Sequence, residues 1–196
     1  MSKRGKIIIL TAPSGSGKTT LANRLMKDFP VIRFSVSATT RSPREGEVDG
    51  VNYYFISRQD FLQKVDNNEF LEYEEFYNGT LYGTLKSDVE NLLKKGYFVL
   101  LDIEVKGARN IKDQFGTECL GVFVRPPSID SLKDRLEARG TESPETIKIR
   151  LERAEMEMGQ ANSFDVCIVN DELDRAYQDL KKIVEPFINL SDPNGN

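Results

Sequence analysis

Residues 6–30 read KIIILTAPSGSGKTTLANRLMKDFP, and the order of chemistry along this stretch decides the fold class. After Lys6 a continuous apolar and β-branched run extends to Ala12, the pattern of a strand buried on both faces. Pro13 and Gly15 interrupt it. From Lys18 the period changes, and Leu21, Leu25 and Phe29 fall on one face of a helix that Pro30 ends. Between strand and helix, Ala12-Pro13-Ser14-Gly15-Ser16-Gly17-Lys18-Thr19 matches the phosphate-loop pattern G-x-x-x-x-G-K-[ST] at every fixed position but the first, where Ala12 replaces glycine. Backbone amides of the loop and the helix N-terminus, with Thr20 behind them, are expected to cradle a β-phosphate. Lys18 is expected to reach the β- and γ-phosphates, and the Thr19 hydroxyl to contact Mg²⁺. Such a loop specifies a nucleoside triphosphate and leaves kinase, GTPase and motor chemistry open.

Outward from this unit the strand and helix signals alternate. Residues 31–37, 97–103, 119–125 and 164–169 read as further core strands, and helices are expected over 86–95, 105–115, 128–139, 144–160 and 172–187. Five apolar strands joined by helical crossovers imply an α/β sandwich on a five-stranded parallel sheet. Two segments depart from the alternation. Residues 38–85 carry short strands at 52–56 and 71–76, a helix on Phe61, Leu62 and Val65 capped by Ser57, and a turn at Asn78-Gly79, so they read as an inserted mixed α+β lobe. The second departure is charged and helical, at about 128–157. The single domain thus divides into a core (5–37, 86–127 and 158–188), a lobe (38–85) and a small helical lid, with a flexible tail at 191–196.

Composition narrows the chemistry. With 196 residues, 39% of them apolar, the chain can bury one sizeable core. Its longest apolar runs are far too short to span a membrane, and no signal segment is visible at the start, so a cytoplasmic location is expected. Histidine is absent, which excludes His-activated nucleophiles and HExxH zinc sites. Cys119 and Cys167 lack metal-site spacing and read as two buried, reduced thiols. A formal net charge of −4 with scattered basic residues does not indicate a nucleic-acid surface. Local arginine clusters still suffice for a small phosphorylated ligand.

One such cluster lies in Ser35–Phe55, where Arg41 and Arg44 are three apart and Tyr53 follows. Two guanidinium forks and a phenol can hold the dianionic phosphate of a second substrate; a solvated charged loop is the alternative reading. Arg135 and Arg139, four apart on one helix face, and Arg150 on the next helix admit the same two readings.

Taken together with the phosphate loop, this segment, Tyr82-Gly83-Thr84, Leu101-Asp102-Ile103-Glu104, Gly107, the Arg135–Gly140 stretch, Arg150 and Ile168–Asp171 resemble guanylate kinases over about residues 6–187. The resemblance implies that the acceptor is GMP, with dGMP left open, and that the reaction is an Mg²⁺-dependent in-line transfer of the γ-phosphoryl group of ATP. It implies further that Arg41, Arg44, Tyr53 and Tyr82 hold the GMP phosphate and that Ser37 and Thr84 donate to guanine O6. Glu72 would accept from guanine N1 and N2, and Glu104, with Asp102 close by, would meet the guanine edge. Arg135, Arg139 and Arg150 would close over the ATP phosphates, with Asn170 near the adenine. Lys18, Arg41, Arg135 and Arg150 are the implied catalytic cations, and Thr19 and Asp102 the implied Mg²⁺ contacts, the latter through water. One departure stands out. Residues 77–84, YNGTLYGT, run one residue longer than the family's usual G-N-Y-Y-G-[ST], with Leu81 in place of the first tyrosine. The resemblance leaves monomer and homodimer open. Two rivals remain at this stage: a phosphate-loop kinase for AMP or UMP, and a non-catalytic guanylate-kinase-like module that binds phosphopeptides.

Overall fold

The run Ile7–Thr11 (β1) is fully buried along its length, because its side chains alternate between two hydrophobic layers. Ile8 and Leu10 pack on one side of the sheet, and Ile7 and Ile9 on the other. The computed structural model describes residues 4–76, 79–138, 140 and 143–189; the expectations for Arg139, for Asn78 in the turn and for the tail at 191–196 lie outside the described residues. β1 is followed by α1 (Lys18–Asp28), β2 (Ile32–Phe34), β3 (Ser37–Thr39), β4 (Tyr54–Phe55), α2 (Arg58–Asp66), β5 (Phe70–Glu75), β6 (Leu81–Leu85), α3 (Lys86–Lys94) and β7 (Phe98–Asp102). The chain continues through α4 (Val105–Phe115), β8 (Cys119–Arg125), α5 (Ile129–Ala138), α6 (Pro144–Met158), β9 (Val166–Val169) and α7 (Leu173–Asn189).

Five strands form one sheet in the order β2-β7-β1-β8-β9, all paired in parallel. Leu21, Leu25, Tyr177, Leu180 and Val184 of α1 and α7 cover one face. Val89, Leu93, Ala108 and Ile111 of α3 and α4 cover the other. The expected α/β sandwich is therefore present, and its central strand buries both faces, each isoleucine contributing about 1.5–3 kcal/mol of transfer free energy. In a parallel sheet of this kind the carboxyl ends of the strands open onto the ligand crevice. Here those ends carry the phosphate loop after β1, Asp102 at the end of β7 and Asn170 after β9.

A second sheet, ordered β4-β3-β6-β5, sits in the inserted segment. β3 pairs in parallel with β4 and antiparallel with β6, which pairs antiparallel with β5. Its own small core consists of Ala38, Phe61, Phe70 and Leu81, with Phe61 and Phe70 stacked at 4.4 Å. Ser57 caps α2 as expected, its hydroxyl accepting from the Asp60 amide at 3.0 Å. A third small cluster, Leu132, Leu136, Ile147 and Ala154, joins α5 to α6. Ser143 caps α6, accepting from the Thr146 amide, with Pro144 in its first turn.

Three sequence expectations are corrected. The single strand at 31–37 is two: β2 belongs to the core sheet and β3 to the second sheet. The chain changes sheets at Ser35 and Val36, just past the Ser35 amide's bond to the Leu100 carbonyl. Leu81–Leu85, read only as the end of a loop, is the strand β6 inside the second sheet. Its Gly83 weakens the strand signal yet is needed for packing, because a methyl there would meet Phe70 at 2.8 Å and Phe61 at 3.0 Å. Cys119 is buried as expected, and burial pushes its thiol up to about 12. Cys167 is exposed, because β9 is an edge strand whose side chains alternate between core and solvent.

Candidate active site

The phosphate loop owes its shape to two left-handed glycines, Gly15 at φ 95° and Gly17 at φ 84°, a conformation that other residues adopt only with strain. A side chain at either position would also collide, with Leu132 of α5 at 2.9 Å or with the Asn170 amide at 2.4 Å. Asn170 Nδ2 donates to the Ser16 carbonyl at 2.6 Å, fixing the loop from beneath. Ala12 is buried in the core at the loop's start. It needs no left-handed backbone, since positive φ among non-glycine described residues occurs only at Asn68. The loop thus tolerates alanine where its consensus has glycine.

At the head of α1, Lys18 Nζ lies 2.6 Å from Asp102 Oδ1. Burial pulls the ammonium's pKa down, but Asp102, Glu104 and Glu157 more than offset this and raise it above its ordinary value, so Lys18 is a fixed cation. Ser14, Thr19 and Thr20 are exposed around the loop mouth. The Arg150 guanidinium on α6 donates to Ser14 Oγ at 2.9 Å. Arg135 on α5 instead donates to the backbone carbonyls of Asn170 and Asp171, at 2.8 and 3.2 Å, which ties α5 to the turn beneath the loop. The fit to Mg²⁺ rests on donor chemistry. A hydroxyl (Thr19) and a carboxylate (Asp102) are hard oxygen donors. Among the described residues no group of three or more His, Cys, Asp or Glu converges to cage an ion. That arrangement suits a cation that brings its waters and is held mainly by substrate phosphates.

Facing this loop, the register of the second sheet aligns the remaining residues in rows. Ser37 pairs with Thr84, and Thr84 with Glu72, so three polar side chains from three strands form one row. Thr39, Tyr82 and Glu74 form the next. A shift in register between Phe70 and Glu72 explains how β5 does this. With strict alternation Glu72 would share the apolar face of Phe70; the bulge turns it to the polar face. Thr84 Oγ1 donates to Glu72 Oε1 at 2.6 Å. Burial pushes the Glu72 carboxyl up to about 7, the Thr84 hydrogen bond opposing and nearby Glu74 reinforcing the shift. On its far side, Glu72 Oε2 stands 2.5 Å from where a methyl on Gly107 of α4 would be.

The arginine pair is less symmetric than its spacing suggests. Arg41 is gripped by Glu47, both of its terminal nitrogens lying 2.6 Å from the carboxylate oxygens. Its guanidinium also lies 4.9 Å from the centre of the Tyr53 ring. Arg44 is exposed, and its amide donates to Glu47 at 2.7 Å. The hydrogen bonds of Arg41 and of the Arg44 amide hold the Glu47 carboxyl down at about 2. Tyr53 and Tyr82 meet edge to face at 5.9 Å.

One cleft of about 370 Å³ gathers most of these groups. Ser14, Ser37, Arg44, Tyr53, Glu72, Tyr82, Asp102, Glu104 and Arg150 all line it. Arg41, Thr84, Lys18 and Asn170 stand behind the lining, against Tyr53, Glu72, Asp102 and the phosphate loop respectively. Glu47, Glu74, Arg153 and Glu157 were missed in the sequence. Glu47 could have been found as the acid three residues after Arg44. Arg153 looked like one more charge on a solvated helix.

A sequence model of the guanylate kinase family matches residues 4–186. The chain belongs to that family. It is 50% identical over 182 residues to the guanylate kinase of Salinibacter ruber, an alignment covering 93% of this chain and 96% of that protein. It is 47% identical over 184 residues to that of Porphyromonas gingivalis, covering 93% and 98%. Among solved structures, a guanylate kinase from Anaplasma phagocytophilum superposes with a TM-score of 0.76 at 31% identity, covering 94% of this chain and 86% of that one. A shikimate kinase from Bacteroides thetaiotaomicron, at 16% identity and a TM-score of 0.50, shares the fold alone. ATP with Mg²⁺ is typical of the family. Among the described residues no helix is long and apolar enough to cross a membrane.

Proposed function

We propose that this chain is an ATP:GMP phosphotransferase that works in the cleft between the phosphate loop and the second sheet. The observation that carries the reading is the Ser37–Thr84–Glu72 row: Ser37 and Glu72 line one wall of a cleft, with Thr84 buried behind them and bonded to Glu72, and the other wall includes Ser14 and Asp102. Guanine presents an acceptor at O6 and donors at N1 and N2, so hydroxyls and a carboxylate in one row complement its edge. Adenine would set its unprotonated N1 against a carboxylate that cannot donate, a mismatch worth about 1–3 kcal/mol. Arg41, Arg44, Tyr53 and Tyr82 take the acceptor phosphate, with Asp102 and Glu104 near the base. The seven residues from Ala12 to Lys18, with Thr19 and Thr20, take the ATP phosphates.

Transfer then needs positioning and neutralisation rather than a base, since the acceptor phosphate oxygen is already a nucleophile. Lys18, Arg41, Arg135 and Arg150 bear the charge of the group in flight. Arg41 is preset for this by Glu47, which must share its two terminal nitrogens when a phosphate arrives. Arg135 has to leave the Asn170 and Asp171 carbonyls to reach the γ-phosphate, a motion of the 128–157 lid. Thr19 and, through water, Asp102 would hold Mg²⁺, which would supply charge neutralisation for the ATP phosphates. Asn170 borders the adenine side. In this reading dGMP serves as a second acceptor, since none of the assigned groups is committed to the 2′-hydroxyl.

The test is product formation from Mg-ATP with GMP, dGMP, AMP, UMP, CMP or no acceptor, with nucleotides separated directly. GDP formed one to one with ADP, and no product from AMP, is the expected outcome. Tight nucleotide or phosphopeptide binding without any transfer would replace this reading with a binding module.

A further inference from the structure

The most heavily engaged side chain in the cleft outside the assigned set is Arg153 of α6. Its Nη2 donates to Glu104 Oε2 at 3.0 Å and lies 3.5 Å from Glu74 Oε1. Its Nε donates to Glu157 Oε1 at 2.7 Å, one turn along the same helix. The guanidinium also stacks over the Phe76 ring, 5.0 Å from its centre. These partners come from three places: Glu74 and Phe76 from the acceptor sheet and the residue after β5, Glu104 from the turn between β7 and α4, and Glu157 from α6 itself. All of them line the same cleft as Glu72 and Asp102.

Two further observations give this junction a purpose beyond filling space. Arg150, three residues earlier on the same helix and so on a neighbouring face, contacts Ser14 of the phosphate loop. One stretch of α6 therefore touches the donor loop with one arginine and the acceptor wall with the next. In addition, Glu74 Oε2 is buried and has no hydrogen-bond partner among the described residues, although its other oxygen is near Arg153. A buried carboxylate oxygen left open beside a substrate cleft is costly unless a ligand donor completes it.

We propose that Arg153 is a positioning residue for the acceptor nucleotide: it holds Glu74 and Glu104 for that substrate and ties α6 to the acceptor sheet, so that filling the acceptor site steadies the contact of Arg150 with the donor loop. This rests on the acceptor reading of the cleft given above. Arg153 touches neither transferring group, so its removal acts on acceptor affinity and on the coupling between sites. Arg153→Met keeps the length and apolar stem of the side chain while removing the fork. It raises KM for GMP about tenfold, in line with loss of a charge-assisted pair, and changes the affinity for ATP alone less than twofold.

The experiment measures KM for GMP, kcat, and the Kd of a non-hydrolysable ATP analogue with and without GMP, in wild type, Arg153→Met, Glu74→Gln and the double variant. The expected result is a selective rise in KM for GMP, loss of the GMP-induced tightening of the ATP analogue, and a double variant no worse than Arg153→Met. Arg153→Lys, which restores charge without the fork, is expected to recover part of the effect and keeps the test open if Arg153→Met does not fold. A KM for GMP within twofold of wild type overturns the proposal. So does an equal loss for both substrates accompanied by a fall in Tm, which would mark a purely structural role. If wild type itself fails to phosphorylate GMP, the functional reading falls instead, so the two failures are told apart.

Discussion

Glu72 carries the sharpest pH signature at the level of single residues. Its carboxyl titrates near 4.5 when unburied and is pushed up to about 7 in the fold. The folded protein therefore holds this proton more tightly than the unfolded chain. The penalty of burying the ionised group is absent below about pH 4.5, grows as the pH rises, and is complete above about pH 7, at on the order of 3 kcal/mol. Glu72→Gln is accordingly expected to raise the thermal midpoint at pH 8 and leave it nearly unchanged at pH 5, as differential scanning calorimetry would show. Function runs the other way. Only the ionised carboxylate accepts from both guanine donors, so KM for GMP should climb as the pH falls from 8 to 6. Glu72→Gln should have a uniformly higher KM that lacks this component, which separates it from titration of the GMP phosphate. On the proposed reading, the residue that destabilises the fold at neutral pH is the one that receives the acceptor base, whose donors would offset the penalty.

Elements set how closely such residues approach. Gly107 lies buried within α4, where alanine would ordinarily add about 1 kcal/mol of helix stability. Here a methyl would press on Glu72 Oε2 at 2.5 Å and on its Cδ at 3.0 Å. Gly107→Ala is therefore expected to move the carboxylate off its row and raise KM for GMP at least about tenfold, a loss of ~1.4 kcal/mol. The ATP affinity should stay within twofold; steady-state kinetics with each substrate varied would check both. The same scale explains what the sequence could and could not reveal. The central strands β1, β7 and β8 were legible as continuous apolar runs, and α4 by the helical spacing of Val105, Ala108 and Ile111. β6 was not, because LYGTL has polar and apolar faces interrupted by Gly83, and one of its two partners, β3, lies some forty residues earlier in the chain. The bulge that turns Glu72 inward leaves no trace in composition. Arg153 was hidden for a related reason: along α6 it is one of many charges, and only the fold brings Glu74, Phe76 and Glu104 to meet it.

For the molecule as a whole, the arginine-bearing excursions at 38–85 and 128–157 both border the cleft, and an open cleft would expose ATP to water. Closure is expected to depend on the acceptor, so ATP hydrolysis without GMP should run far below the transfer rate. Phosphate release measured beside GDP formation checks this; comparable rates would dispose of acceptor-linked closure. Hydrogen exchange offers a second view. Amides of α5 and α6 should slow when GMP and a non-hydrolysable ATP analogue are added together, and much less with either alone. At this scale the parallel core sheet and the identity of the donor loop were legible from residues 6–30 and the strands that follow; the order of the strands was not. The meeting of donor and acceptor walls was not, because it depends on contacts between segments far apart in the chain.

The position of β1 has a further consequence, for synthesis rather than catalysis. Ile7 pairs with Val99 on one side and with Cys119 on the other, so the strand that leads into the phosphate loop leaves the ribosome before either neighbour and cannot be flanked until β8 has followed it. At about 5–20 residues per second it waits several seconds, an apolar segment with no sheet to join, in a topology whose distant pairings already slow folding. A nascent chain stalled before residue 125 should therefore recruit holding chaperones and fail to retain ATP, while one stalled after β9 and α7 have emerged should bind it. Nucleotide capture would then act as a timestamp for the completion of the sheet.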